Sequence, residues 1–541
     1  MSRTFTLSFI ALLTVLGIVG GVTLYGDNIR KLFGASSTSL AGSPEAGPSR
    51  KAMRSFGVKS PDAQPVAASR APAAAEPLAS GNTHTRHEPN AFTLTREDRL
   101  STFAVDVDTA SYSLFRRAVQ QENQLPHPSS VRVEEWVNAF RYRLPEPRPD
   151  EGDFHVDLEM APSPFSMDRH LLKVGLQGRR VAKSQRKPTH LVFLVDTSGS
   201  MSGEDRLELA KKAMKLAVGG LNETDTVAIT TYAGDVRTVL ETTPASERGH
   251  IEDAIDSLCT GGGTAMGDGL ELAYQHAVRM VGADNVSRVV VLTDGDTNLG
   301  KNLTADAMLE SVARYVRAGV TLSTIGFGMG NYRDDLMERL ADKGNGNSFY
   351  IDSEREARKV FQEQLAGTLE VIAQDVKVQV DFEPDAVRGY RLVGYENRDV
   401  ADKDFRDDRV DGGEIGVGHS VTALYEVELT GEGTRLATVR VRAKRPRGEE
   451  AAEQRFTLER HQVHASLAEA SSDLRFAAAV AGTADLLRGA REASGMSLET
   501  AESLVEDALD DQQDREEFLS LLRRVRSILP RNNWAEAARK Y

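Results

Sequence analysis

Two short stretches of the chain are apolar without a break. Leu191-Val192-Phe193-Leu194-Val195 runs into Asp196-Thr197-Ser198-Gly199-Ser200, and Val289-Val290-Val291-Leu292 runs into Thr293-Asp294-Gly295. An apolar run without alternation fits a strand covered on both faces, as in a parallel sheet packed between helices. Around them the period changes. Leu207, Ala210, Met214 and Ala217 recur at helical spacing with Lys211, Lys212 and Lys215 on other faces, the lysines forming a solvated surface. Thr226 to Tyr232 and Val236 to Leu240 flank Gly234-Asp235, a hairpin signal. Ile251 to Leu258 reads as a helix, as do Ala305 to Ala318 and Asp334 to Ala341, while Thr321 to Phe327 and Asn347 to Ile351 read as strands. Strands alternating with helices from about Lys187 to Leu369 predict an α/β fold with a doubly wound, mostly parallel sheet.

Flanking regions follow other rules. Upstream, Ser101 to Tyr112 reads as a strand turning into a helix, Val131 to Phe140 as an amphipathic helix, and Phe154 to Met160 and Leu171 to Leu176 as strands with a place in a sheet shared with the C-terminal region. Beyond Asp375 the period becomes two: Val376, Val378, Val380 and Phe382, then Val421, Ala423, Tyr425 and Val427, then Ala437, Val439 and Val441, an antiparallel sheet with one buried face. Leu474 to Leu487, Ser497 to Leu509 and Arg515 to Ile528 are amphipathic helices, the last stopped by Pro530. The expected division is therefore an N-terminal anchor or signal segment at 1–30, an Ala/Pro/Ser-rich linker at 31–91, an α+β extension at 92–186, the doubly wound domain at 187–370 and a C-terminal β-sheet plus helical domain at 371–541.

Composition changes this picture at the N-terminus. Thr4 to Gly26 contains no charged residue, matching the roughly 20 apolar positions a helix needs to cross a bilayer. It predicts a single-pass anchor with the body outside the cytoplasm, in the cell envelope; a cleaved signal peptide and secretion are the alternative. Residues from about Ala35 to Asn90 cannot bury a core and read as a tether. The net charge of −14, with no long basic stripe, argues against nucleic acid as a partner. One cysteine, Cys259, rules out an intrachain disulfide and a cysteine-based zinc site, and its place behind Leu258 suggests a small buried residue.

The chemistry is expected where the first apolar run ends. Asp196, Ser198 and Ser200 alternate in a tight loop past a strand's carboxyl end, where open α/β sheets bind ligands. One carboxylate and two hydroxyls are hard oxygen donors suited to Mg²⁺ or Ca²⁺; capping of the following helix is the plainer use of the hydroxyls. This Asp-x-Ser-x-Ser pattern resembles the metal-ion-dependent adhesion site of von Willebrand factor type A domains. The resemblance implies two further ligands, and they match Thr264 after Gly261-Gly262-Gly263 and Asp294 after the second apolar run. The extension and the C-terminal region resemble those that accompany a type A domain in one group of bacterial proteins.

What the resemblance implies is a membrane-tethered, protein-binding adhesion module, not an enzyme. A divalent metal (Mg²⁺, or Ca²⁺ or Mn²⁺) held by Asp196, Ser198, Ser200, Thr264 and Asp294 would capture a partner's Asp or Glu. The alternatives are a metal-dependent hydrolase, for which Asp268, Asp296 and His190 are the local bases, and a structural scaffold for envelope assembly. Two imitations are set aside. Asp106-Val107-Asp108-Thr109 mimics a phosphatase nucleophile loop without the downstream parts, and the glycines before Thr264 lack the Gly-Lys-Ser/Thr ending of a phosphate loop.

Overall fold

A computed structural model describes residues 75–529, apart from 78–82, 296–304, 329–332, 365–370, 491–494 and several shorter gaps that include 106, 264 and 265. In chain order the strands are β1 (Ala75–Pro77), β2 (Thr83–Thr85), β3 (Thr93–Leu94), β4 (Leu100–Ala104), β5 (Phe154–Pro162), β6 (His170–Gly178), β7 (Thr189–Asp196), β8 (Thr226–Tyr232), β9 (Arg237–Pro244), β10 (Val286–Thr293), β11 (Val320–Phe327) and β12 (Ser348–Ile351). They continue with β13 (Val371–Phe382), β14 (Val387–Val393), β15 (Gly413–Gly416), β16 (Ser420–Leu429), β17 (Arg435–Lys444) and β18 (Ala451–Glu459).

The central sheet has the order β12-β11-β10-β7-β8-β9, parallel except for the antiparallel β8–β9 pair. Both apolar runs lie at its heart, β7 beside β10 with Val195 opposite Leu292. Leu191, Phe193 and Val195 point into one apolar core and Val192 and Leu194 into another, so each face of β7 is covered. This is the burial that a non-alternating run requires. The core on the second face is completed by Ala110 and Leu114, from the helix α1 (Ala110–Arg117) of the extension.

The remaining strands form two antiparallel sheets drawn from both sides of the central segment. One has the order β15-β13-β17-β18 with β4 also paired to β13; the other is β3-β14-β16-β6-β5. The shared sheet expected for the strands upstream of the central domain is thus present, β6 lying on β16 with Val174 opposite Ala423. Facing side chains of the two sheets make a third core, with Phe382 stacked on Tyr390 at 4.4 Å. A fourth joins Tyr112 and Phe115 of α1, and Trp136 and Phe140 of the extension, to the tail helices through Phe476 and Phe518. Every residue of α1 is buried, because one helix serves the central sheet on one side and the tail helices on the other.

Three expectations are corrected or bounded. Thr4 to Gly26 lies outside the described residues, and among the described residues no helix is long and apolar enough to cross a membrane. The longer tail helices, Ser472–Leu487 and Gln513–Ile528, have 16 residues each, or about 24 Å at 1.5 Å per residue against a hydrocarbon layer of about 30 Å. For the described residues, therefore, the expectation of a transmembrane anchor, and with it the membrane as a partner and the placement in the envelope, is corrected. Within the stretch read as linker, β1 pairs antiparallel with β2, Ala75 opposite Thr85. Cys259 is exposed, not buried, because it lies in the loop beyond the helix Arg248–Asp256.

Candidate functional site

Asp196 ends β7 with a fully buried side chain. Its carboxylate is held on three sides: Oδ1 accepts from the Ser198 amide at 2.9 Å, and Oδ2 accepts from the Tyr232 hydroxyl at 3.1 Å and the Thr293 hydroxyl at 2.9 Å. The sheet register explains the last two, since Tyr232 lies opposite Asp196 on β8 and Thr293 follows the residue paired with Val195 on β10. Ser198 Oγ and Ser200 Oγ are 2.9 Å apart. Asp294, also buried, follows β10 directly and is near enough to Asp196 to oppose its ionisation. Burial first, and then Asp294 as a like charge, push the Asp196 carboxyl up to about 6.

Thr264 lies outside the described residues, but the loop leading to it is docked on the same turn. Gly261 N donates to the Thr197 carbonyl at 2.8 Å and Gly199 N to the Gly262 carbonyl at 3.4 Å. Gly262 has a φ of +88°, and a Cβ there would strike the backbone of Gly234 on the β8–β9 turn. Only glycine allows that approach. Of the five residues singled out from sequence, the structure brings Asp196, Ser198, Ser200 and Asp294 to one rim.

A buried acid penalised by its surroundings and a neighbouring acid, beside two hydroxyls in contact, is a donor set that fits a hard divalent cation. A finished metal centre is another matter. Among the described residues no group of three or more His, Cys, Asp or Glu side chains stands together to hold a metal, so the expectation of a formed adhesion-site metal cluster is corrected. The described rim holds two acids, Asp196 and Asp294, its other donors being hydroxyls, and a protein cation stands beside Asp294. Arg206 Nη1 is 3.8 Å from Asp294 Oδ2 and donates to the Ser200 carbonyl. Sequence reading missed Arg206, Tyr232 and Thr293. The last two were legible as residues at strand ends beside Asp196, whereas nothing in its neighbours marked Arg206.

Of the candidate bases for hydrolysis, His190 lies far from this rim. His190 is six residues up β7 from Asp196, roughly 20 Å at 3.3 Å per residue, with Nδ1 2.7 Å from the Thr226 hydroxyl. Asp268 is exposed in the first turn of the helix Met266–Arg279, and Asp296 lies outside the described residues. Asp108 of the phosphatase-like motif is structural: Oδ1 accepts from the Ser348 amide at 2.9 Å and Oδ2 is 3.3 Å from Arg398. Asp106 lies outside the described residues.

Residues 190–363, which carry this sheet and its rim, match the von Willebrand factor type A domain family. Residues 79–173 match a von Willebrand factor family, and 367–436 and 430–528 match the family described as uncharacterized protein YfbK, C-terminal. The uncharacterized protein YfbK of Escherichia coli (strain K12) is 38% identical over 457 residues, covering 79% of this chain and 78% of that protein. The chain belongs to the bacterial von Willebrand factor type A family of YfbK. A second relative, the uncharacterized protein sll0103 of Synechocystis sp., is 27% identical over 237 residues, 43% of this chain and 55% of its own length. Among solved structures, the von Willebrand factor type A protein from Catenulispora acidiphila is 19% identical with a TM-score of 0.41, covering 71% of this chain and 91% of that one. As a YfbK-family type A protein the chain is a module for protein–protein contact, and this membership agrees with a non-catalytic role.

Proposed function

We propose that the chain is a structural scaffold that engages a protein partner at the carboxyl-end rim of its type A sheet. The observation that carries this is the interleaved build. The type A segment sits between β6 and β13, whose sheets mix strands from both flanks, and α1 packs under its sheet, so the rim is presented on a body fastened from both sides. A surface held this way loses little freedom on binding, which favours association. The segments 92–186, 187–370 and 371–541 enter this reading as bracing extension, contact domain and bracing tail.

A finer reading assigns Asp196, Ser198, Ser200, Thr264 and Asp294 as the residues that would hold a divalent cation, Mg²⁺, Ca²⁺ or Mn²⁺. Bound there, the cation would supply a Lewis-acidic position for a partner's Asp or Glu. The like-charge relation between Asp196 and Asp294 favours it.

One experiment separates the two. Proteins retained on the immobilised full chain are compared with those retained by Ser200→Trp, which blocks the rim. The scaffold reading expects at least about tenfold less capture by the variant at an unchanged Tm, with EDTA having no effect. Loss of capture in EDTA and in Asp196→Ala would establish the metal reading in its place, and capture equal in Ser200→Trp would defeat both.

A further inference from the structure

The extension's helix α1 ends in two arginines that serve different places. Arg116 binds Asp352 through Nε at 2.8 Å and Glu356 through Nη1 at 2.9 Å, fastening the far end of the type A segment. Arg117 turns toward the rim: Nη2 is 2.9 Å from Asp205 Oδ2, and Nε is 3.5 Å from Glu122. Its side chain is only 10% exposed. Asp205 immediately precedes Arg206. The Arg206 side chain lies against Gly328 at the end of β11, where φ is +64° and a Cβ would collide with it. That strand end is fixed in turn by the Tyr350 hydroxyl, which donates to the Gly328 carbonyl at 2.6 Å. From this bed the Arg206 guanidinium reaches the Ser200 carbonyl and Asp294.

The extension therefore reaches the rim in three steps: the Arg117 side chain binds Asp205, Asp205 is the chain neighbour of Arg206, and the Arg206 side chain meets the Ser200 carbonyl and Asp294. We propose that Arg206 is the resident cation of the rim and that Arg117, supplied by the N-terminal extension, is the positioning residue that holds it there through Asp205. The proposal rests on the rim being the working surface. A guanidinium suits the task, because it is always charged and one of its nitrogens, Nη1, serves both the Ser200 carbonyl and, at 3.8 Å, the Asp294 carboxylate. It offsets the repulsion between Asp294 and the buried Asp196. With Arg206 in place the rim offers a partner hydrogen-bond donors and a partly neutralised pair of acids; with Arg206 released it becomes an acidic cup with a stronger demand for an external cation. The flanking domain thus sets the charge that the type A domain shows its partner.

Hydrogen exchange on the full chain tests the positioning role. Arg117→Gln and Arg206→Gln should each speed exchange of the amides in 199–206 by about tenfold while β7 and β10 keep their protection. Glu122→Gln, which removes the other partner of Arg117, should leave 199–206 unchanged. The charge-reversed pair Arg117→Glu with Asp205→Arg should restore protection that Arg117→Glu alone loses. Unchanged exchange at 199–206 in Arg117→Gln, a rise spread evenly over the type A sheet, or no rescue by the reversed pair would overturn the proposal. Titration with Mn²⁺ alone adds the charge test: Arg206→Gln should bind Mn²⁺ about tenfold more tightly than the unaltered chain, with Arg117→Gln between. Equal or weaker binding by Arg206→Gln overturns the resident-cation role. Absence of Mn²⁺ binding in every variant strikes only the metal reading of the site, and the exchange result then decides this proposal.

Discussion

The type A sheet and the flanking sandwich are held together by different physics. In the type A sheet, β7 and β10 bury unbroken apolar runs on both faces, and its two cores are built mainly from Val, Leu, Ile, Ala, Met and aromatic side chains. The sandwich joins strands hundreds of residues apart and buries charges as it does so. Arg391 on β14 is fully buried with Glu426 on β16 at 2.9 Å and Asp485 on the tail helix Ser472–Leu487 at 3.1 Å. Arg488 then links Asp485 at 2.6 Å to Glu396 at 2.9 Å. Burial alone would lower the Arg391 pKa, but Asp485 and Glu426 more than offset it and hold it above its ordinary value. An apolar core tolerates several pairings of similar volume, whereas a buried ion accepts only the partner that completes it. The difference teaches that the contiguous domain is specified mainly by pattern, while an assembly of remote segments uses charge to select which strand meets which helix.

The sharpest way to break this comparison is Arg391→Met. It leaves Glu426 and Asp485 buried with part of their compensation removed, a loss of roughly 3–5 kcal/mol for an uncompensated buried ion. Urea unfolding of the full chain, followed by tail-specific proteolysis, should show the tail helices released first. A loss under about 1 kcal/mol would mean that packing, not charge, selects the pairing.

The same difference explains what the sequence made legible. The type A sheet was readable because its signals are local: unbroken runs, helical spacing and the Asp196-x-Ser198-x-Ser200 turn lie within short windows. The antiparallel strands of the C-terminal half were legible where one face is buried, as in β13, β16 and β17. Three strands escaped, the four-residue β15 among them. β14 carries a buried arginine and Gly389 in place of clean alternation, and β18 is an edge strand on which Gln454 interrupts the face that Phe456 and Leu458 turn to the core. At the rim, the acids and hydroxyls were readable because type and spacing carry their chemistry. Arg206 was not, since its role depends on Gly328 and Asp294 meeting it in space.

A smaller effect, confined to the type A sheet, sharpens the comparison through pH. His190 is buried at the opposite end of β7 from the rim; burial first, and then the nearby His276, push its pKa down to about 4 from an ordinary 6.5. The folded state therefore stays unprotonated between pH 6.5 and 4 while the unfolded chain takes up a proton. Stability from this group is complete above pH 6.5 and is lost as pH falls toward 4, by up to about 1.4 kcal/mol per pH unit. His190→Gln, which keeps a partner for the Thr226 hydroxyl, should flatten the decline of Tm across that range. An equally steep decline in the variant would assign the acid sensitivity to other groups, with the sandwich's ion networks the first to examine.

The smallest expected effect asks whether the type A sheet is as tolerant as a core selected by pattern should be. Ile229 on β8 is fully buried within the apolar core that Leu191, Phe193 and Val195 of β7 also enter. Ile229→Val removes one methyl group and keeps the β-branch that suits a strand, so the cost should be about 0.5–1.5 kcal/mol, a transfer loss plus a small cavity. Urea unfolding with an unchanged m-value is the expected result, because fold and exposed area stay the same. Set beside Arg391→Met, the ratio of the two losses measures how far shape and charge differ as means of specifying structure within one chain. Should Ile229→Val cost as much as Arg391→Met, the core of the type A sheet would be specified by close steric fit as strictly as the sandwich is by its ions, and hydrophobic pattern alone would not account for the contiguous domain.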